Sequence, residues 1–275
     1  MRIDAHNHFW KYTPEDYPWM TGALAALRSD FLPEHLKPEI SAVGIDGAVA
    51  VQGRSSLLET AWLLDLADAH DFIPGVVGWV SLVSPTIREE LGRFASRPKL
   101  KGLRHIIQEE PDDDYILRED FNAGVGLLRE FDLVYDILIS ERHLPQTLRF
   151  VDRHPRQVFV VDHIAKPRIR EAVISPWKEN MTELARRPNV FCKLSGVTHE
   201  ADHKSWNEDE IRPYMDVALE AFGPRRLMFA SDWPVCLLSC DYERWHEVVA
   251  NFISRLSGSE QERIGGGTAS EAYKL

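Results

Sequence analysis

Cysteine is scarce in this chain: three in 275 residues, at Cys192, Cys236 and Cys240. An odd set with no second cysteine pair offers neither a disulfide framework nor a zinc knuckle. Long apolar runs are missing too. The greasiest segment, VVGWVSLV (76–83), is far too short to span a bilayer, and the N-terminus shows no apolar core of signal-peptide length. Basic charge is in deficit, 32 Lys and Arg against 43 Asp and Glu for a net −11, which argues against nucleic acid or anionic membrane as a partner. No G-x-G-x-x-G follows an apolar run, which counts against a dinucleotide fold. The one glycine cluster, Gly265-Gly266-Gly267, follows a helical pattern and reads as a helix-ending turn. The cysteine usage predicts a reduced, cytoplasmic home; the expected partner is a small-molecule substrate, and the expected state a monomer or homodimer.

What is present is alternation. Eight runs rich in Val, Ile, Leu and Phe read as strands buried on both faces: 2–8, 47–52, 75–82, 100–106, 133–139, 157–163, 189–195 and 226–232. Amphipathic stretches separate most of them, at 56–71, 84–97, 118–131, 143–154, 177–187 and 208–223, with 241–257 after the last strand. Strand–helix alternation with crossover-length connections predicts a parallel sheet. Eight repeats in this length predict a (β/α)8 TIM barrel, one α/β domain over 1–275.

A barrel of this kind carries its chemistry at the C-terminal strand ends. Those ends read His6 and His8; Gln52 and Arg54; Trp79; Arg104 and His105; Tyr135 and Asp136; Asp162 and His163, with Lys166 just beyond; Lys193 and Ser195; and Asp232 with Trp233. Charged groups and imidazoles are costly to bury unpaired, so their recurrence in apolar runs points to a site. Strand alternation places Asp4, His6 and His8 on one face. Two imidazoles aimed into one space suit a metal ion, a polarised carbonyl, or a hydrogen-bonded core pair. The first long loop, 9–35, is dense in aromatics, which either wall a pocket or pack on one another.

A first-strand H-x-H, a sixth-strand histidine and an eighth-strand aspartate resemble the amidohydrolase superfamily of metal-dependent barrel hydrolases. More narrowly, DAHNHFW (4–10), GLRH (102–105), DHIAKP (162–167) and SDWPV (231–235) are similar to its sugar-lactonase branch, which acts on L-fucono- and L-rhamnono-lactones; the tail GGGTASEAYKL (265–275) resembles the family's ending. Binuclear members carry a carboxylated lysine or glutamate on strand four and a histidine on strand five. Here those strands have Arg104-His105 and Tyr135-Asp136, so a two-metal bridge is not expected. The resemblance implies one divalent ion, zinc by ligand chemistry, held by His6, His8, His163 and Asp232, or else metal-free catalysis.

The resemblance implies hydrolysis of an aldonolactone. Asp232 is the expected base that takes a proton from water, and His163, Arg104 and His105 are expected to act on the carbonyl or ring hydroxyls. Gln52, Arg54, Trp79, Tyr135, Lys166 and Trp233 are expected to contact substrate. Lys166 reads equally as a solvated loop cation, and Trp233 as a core ring. Alternatives on the same residues are a decarboxylase of an unsaturated or aromatic acid, an amidase, or a carbohydrate-binding barrel without chemistry.

Overall fold

The computed structural model describes residues 1–275, with the side chain of Ala23 left aside. Eight parallel strands form it: β1 (Ile3–Asn7), β2 (Gly47–Val51), β3 (Gly75–Gly78), β4 (Leu100–Ile106), β5 (Val134–Leu138), β6 (Phe159–Val161), β7 (Val190–Leu194) and β8 (Leu227–Phe229). Each pairs with its sequence neighbour. Just past the end of β8 the ring closes on β1, where Asp232 N donates to His6 O (2.9 Å) and His8 N to Trp233 O (2.7 Å). This is a (β/α)8 barrel.

Around it run α1 (Pro33–Ala42), α2 (Leu57–Ala69), α3 (Ile87–Ala95), α4 (Glu119–Leu127), α5 (Leu144–Arg153), α6 (Trp177–Leu184), α7 (Val197–Glu200), α8 (Glu208–Phe222), α9 (Tyr242–Ile253), α10 (Gly258–Glu262) and α11 (Thr268–Tyr273). Side-chain caps start several of them: Ser56 accepts from Glu59 N, Asn207 from Asp209 N and Glu210 N, and Asp241 from Arg244 N. None is long and apolar enough to cross a membrane.

The strands are shorter than the apolar runs that encode them, for local reasons. β3 stops at Gly78 because Thr60 Oγ1 accepts from Trp79 N (2.8 Å) and donates to Trp79 O (2.7 Å). β6 stops at Val161, with one residue between it and a left-handed run that begins at His163.

Two apolar layers follow from the period-two alternation. The larger fills the space between strands and helices; a smaller one inside the barrel gathers Ile3, Ala5, Val49, Val77, Val134, Val160, Phe191 and Met228. The barrel floor is closed by α11, whose Ala269, Ala272 and Tyr273 join that inner layer. A Cβ on Gly266 would sit 2.3 Å from Met1 O, so only glycine lets the tail seat there. The glycine cluster does end a helix, as a wide turn between α10 and α11.

One facing differs from strict alternation. Ile3 and Ala5 point into the barrel, so Asp4 turns to the helix layer, where it accepts from Ser231 Oγ (2.6 Å) and Tyr242 OH (3.0 Å). A register shift between Asp4 and Asn7 then brings His6 round to the same side as His8. The two imidazoles share a face; Asp4 does not share it.

Candidate active site

The inward strand positions continue upward from apolar to charged. Val134 leads to Asp136, Val160 to Asp162, Phe191 to Lys193 and Gly102 to Arg104, each two residues on. All four charged side chains are buried. Lys193 Nζ lies 2.5 Å from Asp136 Oδ2, 2.9 Å from Asp162 Oδ1 and 3.0 Å from His6 Nδ1. Arg104 Nη1 donates to Asp162 Oδ2 (2.9 Å), its Nη2 donates to Gln52 O, and Tyr273 OH reaches Asp136 from below at 2.8 Å. Two cations against two carboxylates leave this layer neutral, which is the condition for burying it.

Above it stand the imidazoles and Asp232. His8 Nδ1 donates to Val51 O (2.8 Å) and His163 Nδ1 bonds Ser195 Oγ (2.8 Å), so each ring turns Nε2 to the centre. Asp232 Oδ1 is 3.3 Å from His8 Nε2, 3.6 Å from His6 Nε2 and 3.8 Å from His163 Nε2. It makes no hydrogen bond of good geometry despite being buried.

The backbone that delivers these groups is strained. Asp232 has φ 61°, and His163, Ile164, Ala165 and Lys166 form an unbroken left-handed run with φ 52°, 47°, 60° and 47°. Non-glycine residues avoid this region, β-branched Ile most of all, so surrounding structure must impose it. Gly196 makes room: a Cβ there would lie 2.7 Å from His163 Cβ, and its own φ is +69°.

Burial pushes the Asp232 carboxyl up, but attraction to His163, His8 and His6 outweighs it and holds the group ionised, well below the usual carboxylate range. Burial lowers His163 to about 4, against the pull of Asp232, and lowers His6 as well, with Lys193 adding to the effect. Neutral imidazoles beside an ionised carboxylate are the protonation states a divalent cation requires. Nitrogen and oxygen donors of His6, His8 and Asp232 all lie within 4.8 Å of one another, as do those of His6, Asp162 and His163. With the unpartnered Asp232 oxygen in their midst, these residues fit one zinc-type ion.

A cavity of about 520 Å³ opens over this centre, lined among others by His8, Arg54, Arg104, His163, Lys166 and Asp232. The first-loop aromatics do both things weighed for them: Trp10, Tyr17, Met20 and Leu27 pack together, while Trp10 and Trp19 also wall the cavity. Among the described residues, Lys166 Nζ has no hydrogen-bond or ion-pair partner, so it stands as a free cation in the wall rather than in bulk solvent.

The remaining expected site residues lie elsewhere. Tyr135 follows inward Val134 and therefore faces out, among Phe121, Phe150 and Phe159. His105 follows Arg104 and also faces out, stacked on Tyr115 and bonded to Glu110 (2.7 Å) and the Trp79 indole (3.2 Å). Trp233 is a core ring against Phe9 and Phe31. Gln52 supports Arg104 rather than lining the cavity, its Nε2 donating to Arg104 O (3.4 Å). Strand-end reading passed over His199 in α7, which lines the cavity with a buried Nδ1 lacking a partner. Its only signal was a position in the loop after a barrel strand.

Fold and site together define a barrel hydrolase of the amidohydrolase type, and the Amidohydrolase family model matches residues 3–275. The chain belongs to that family. It is 41% identical to an L-fucono-1,5-lactonase of Burkholderia multivorans over 292 aligned positions, covering all of this chain and 96% of the relative. An L-fucono-1,5-lactonase of Burkholderia ambifaria is 37% identical over all of this chain and 96% of its own length. Among solved structures, an amidohydrolase of Burkholderia multivorans crystallised with bound zinc superposes with a TM-score of 0.97 at 41% identity, over 100% of this chain and 99% of that one.

Proposed function

We propose that this protein hydrolyses the ester bond of a small sugar lactone, an L-fuconolactone-like aldonolactone, to the open hydroxy acid. The observation that carries the reading is the buried, unpartnered Asp232 oxygen facing three imidazoles under a cavity of sugar size. The full-length likeness to two L-fucono-1,5-lactonases supports it.

Asp232 takes a proton from a water molecule as that water attacks the lactone carbonyl. The attraction that keeps this carboxylate ionised also makes it a weak base at rest. Proton transfer to it therefore has to be matched by neutralising the charge that develops on the carbonyl oxygen. Lys166 and Arg104, two cations at the cavity wall, are placed for that work. When the tetrahedral species collapses, the ring carbon–oxygen bond breaks and the departing alkoxide recovers the proton from Asp232. The product is a carboxylic acid, which releases one proton to neutral solvent.

A zinc-type ion held by His6, His8 and Asp232 would supply Lewis-acid polarisation of the carbonyl. The mixed wall of Arg54, Trp10, Trp19 and His199 suits a ring dense in hydroxyls, offering donors, acceptors and flat apolar surface. A panel of aldonolactones monitored with a pH indicator, with and without added zinc, tests this reading. L-Fucono-1,5-lactone is expected among the substrates turned over. Acid release from none of the panel, or carbon dioxide release from an unsaturated acid, would overturn it.

A further inference from the structure

We propose that Asp4 and Ser231 are positioning residues: from the back of the site they clamp the backbone of Asp232 in the left-handed conformation that aims its carboxylate at the imidazoles. Asp4, Ser231 and Tyr242 are all buried. Four donor groups converge on Asp4. Its Oδ1 accepts from His6 N (3.1 Å) and Ser231 N (2.9 Å), its Oδ2 from Ser231 Oγ (2.6 Å) and Tyr242 OH (3.0 Å). An ionised carboxylate can only accept, so the Ser231 hydroxyl hydrogen points at Asp4. His6 O, the other acceptor in reach of that hydroxyl, is farther off at 3.3 Å. The lone pairs of Ser231 Oγ are then left for Trp233 N, which donates to it at 2.9 Å.

Asp232 sits inside that bridge. With φ 61° it occupies a region that L-residues avoid. An aspartate there commonly bonds its own side chain to nearby backbone, but the buried Oδ1 of Asp232 has no such bond. The compensation comes from the neighbours instead. A serine side chain bonded to the amide two residues on mimics a β-turn. In the type II form the residue between them takes a positive φ. Serine turns of this kind are weak by themselves. The short, charge-assisted bond from Ser231 to Asp4 fixes the hydroxyl and strengthens the bridge. On either side, Asp232 N donates to His6 O (2.9 Å) and Asp232 O accepts from Cys236 N (3.0 Å).

None of the clamp's bonds ends on the carboxylate of Asp232. Positioning through the backbone therefore keeps its oxygens for water or a cation, where a side-chain donor would occupy one of them. Asp4, turned away from the cavity, thus acts on the reacting centre through Ser231. The catalytic half of this inference rests on the proposed lactonase reading, which takes Asp232 as the base; the geometric half does not.

Ser231→Ala removes the bridge and leaves every charged group of the site in place. A crystal structure of this variant is expected to show Asp232 out of the left-handed region, with its carboxylate turned from His8 and His163. A carboxylate in its wild-type position would overturn the proposal. Lactone kcat is expected to fall about tenfold or more with little change in KM; an unchanged kcat, or a loss confined to KM, would refute the catalytic half. Ser231→Thr keeps the Oγ and is expected to keep most of the turnover. A folded Thr variant as slow as Ala would show that the hydroxyl is not what matters. Should Ser231→Ala fail to fold, hydrogen exchange in the wild type still decides. The Trp233 amide can be singled out by labelling aspartate with ¹³C at the carbonyl and tryptophan with ¹⁵N, since Asp-Trp occurs once in the chain. It is expected to exchange as slowly as the barrel strands, and exchange at the rate of exposed loop amides would overturn the clamp. If wild type hydrolyses no lactone, the crystal structure and the exchange rate decide the geometry by themselves.

Discussion

Glu59 offers a test of the electrostatics that does not depend on catalysis. Its carboxylate is buried at the start of α2, where it accepts from Gly53 N and Arg54 N (both 3.0 Å) and from Tyr17 OH (3.3 Å). It thereby ties the β2–α2 loop, which carries Arg54 to the cavity, to the aromatic first loop. Burial raises its pKa to about 7 from an ordinary 4.5, the backbone hydrogen bonds and Arg54 opposing this only in part. A carboxyl whose folded pKa is raised binds its proton more tightly in the folded state. Its contribution to stability is complete below the unfolded pKa and is lost as pH rises through the folded one. The window therefore runs from pH 4.5 to about 7. At 1.36 kcal/mol per unit, the loss is about 3 kcal/mol. For a chain of this size that corresponds to a fall in thermal midpoint of roughly 6 °C.

Burial lowers His163 and His199, each from 6.5 to about 4, which acts in the opposite sense over most of that window, and buried Asp4, raised to about 6, adds to the same fall. The difference between wild type and Glu59→Gln removes both contributions, because only Glu59 stops titrating. Thermal melts at a fixed scan rate across pH 4.5 to 8 should show the wild-type curve descending relative to the variant by that amount. Parallel curves would mean that Glu59 is not desolvated as the structure places it.

Three other outcomes follow from the site. Gly196→Ala should strain a left-handed residue and push on His163, costing about 1–3 kcal/mol by urea unfolding and a larger share of turnover; an unaffected His163-dependent rate would contradict the close approach. Tyr273→Phe should lower stability by about 1–3 kcal/mol, since Asp136 loses a buried donor, with little change in KM. Lys166→Met should weaken kcat/KM for the lactone more than it lowers the melting temperature, and an equal loss of both would make it a structural residue.

Much of the barrel was legible because a doubly buried strand leaves few alternatives to Val, Ile, Leu and Phe. The strand ends were less so, since a run of apolar residues does not say which parity faces the axis. Arg104 and His105 are adjacent and chemically plausible alike; the pairing of Gly102 with Val134 puts the arginine inside and the histidine out. The same parity removes Tyr135 and admits Asp136. Asp4 was misplaced beside His6 because a one-residue register shift leaves no mark in the sequence. Lys193 was visible as a lone charge in an apolar strand, yet its pairing with Asp136 and Asp162, both distant in sequence, was not. His199 lies on a helix of one turn, where no periodicity could single it out.

The role of Asp232 can be read most directly by comparing steady-state hydrolysis of L-fucono-1,5-lactone by wild type and by Asp232→Asn, with folding of the variant checked by its thermal melt. Wild type should turn the lactone over, and the variant, which keeps the shape but cannot take the proton, should lose at least ~10²-fold in kcat. A folded Asn variant with near wild-type turnover would contradict the assignment of Asp232 as the base.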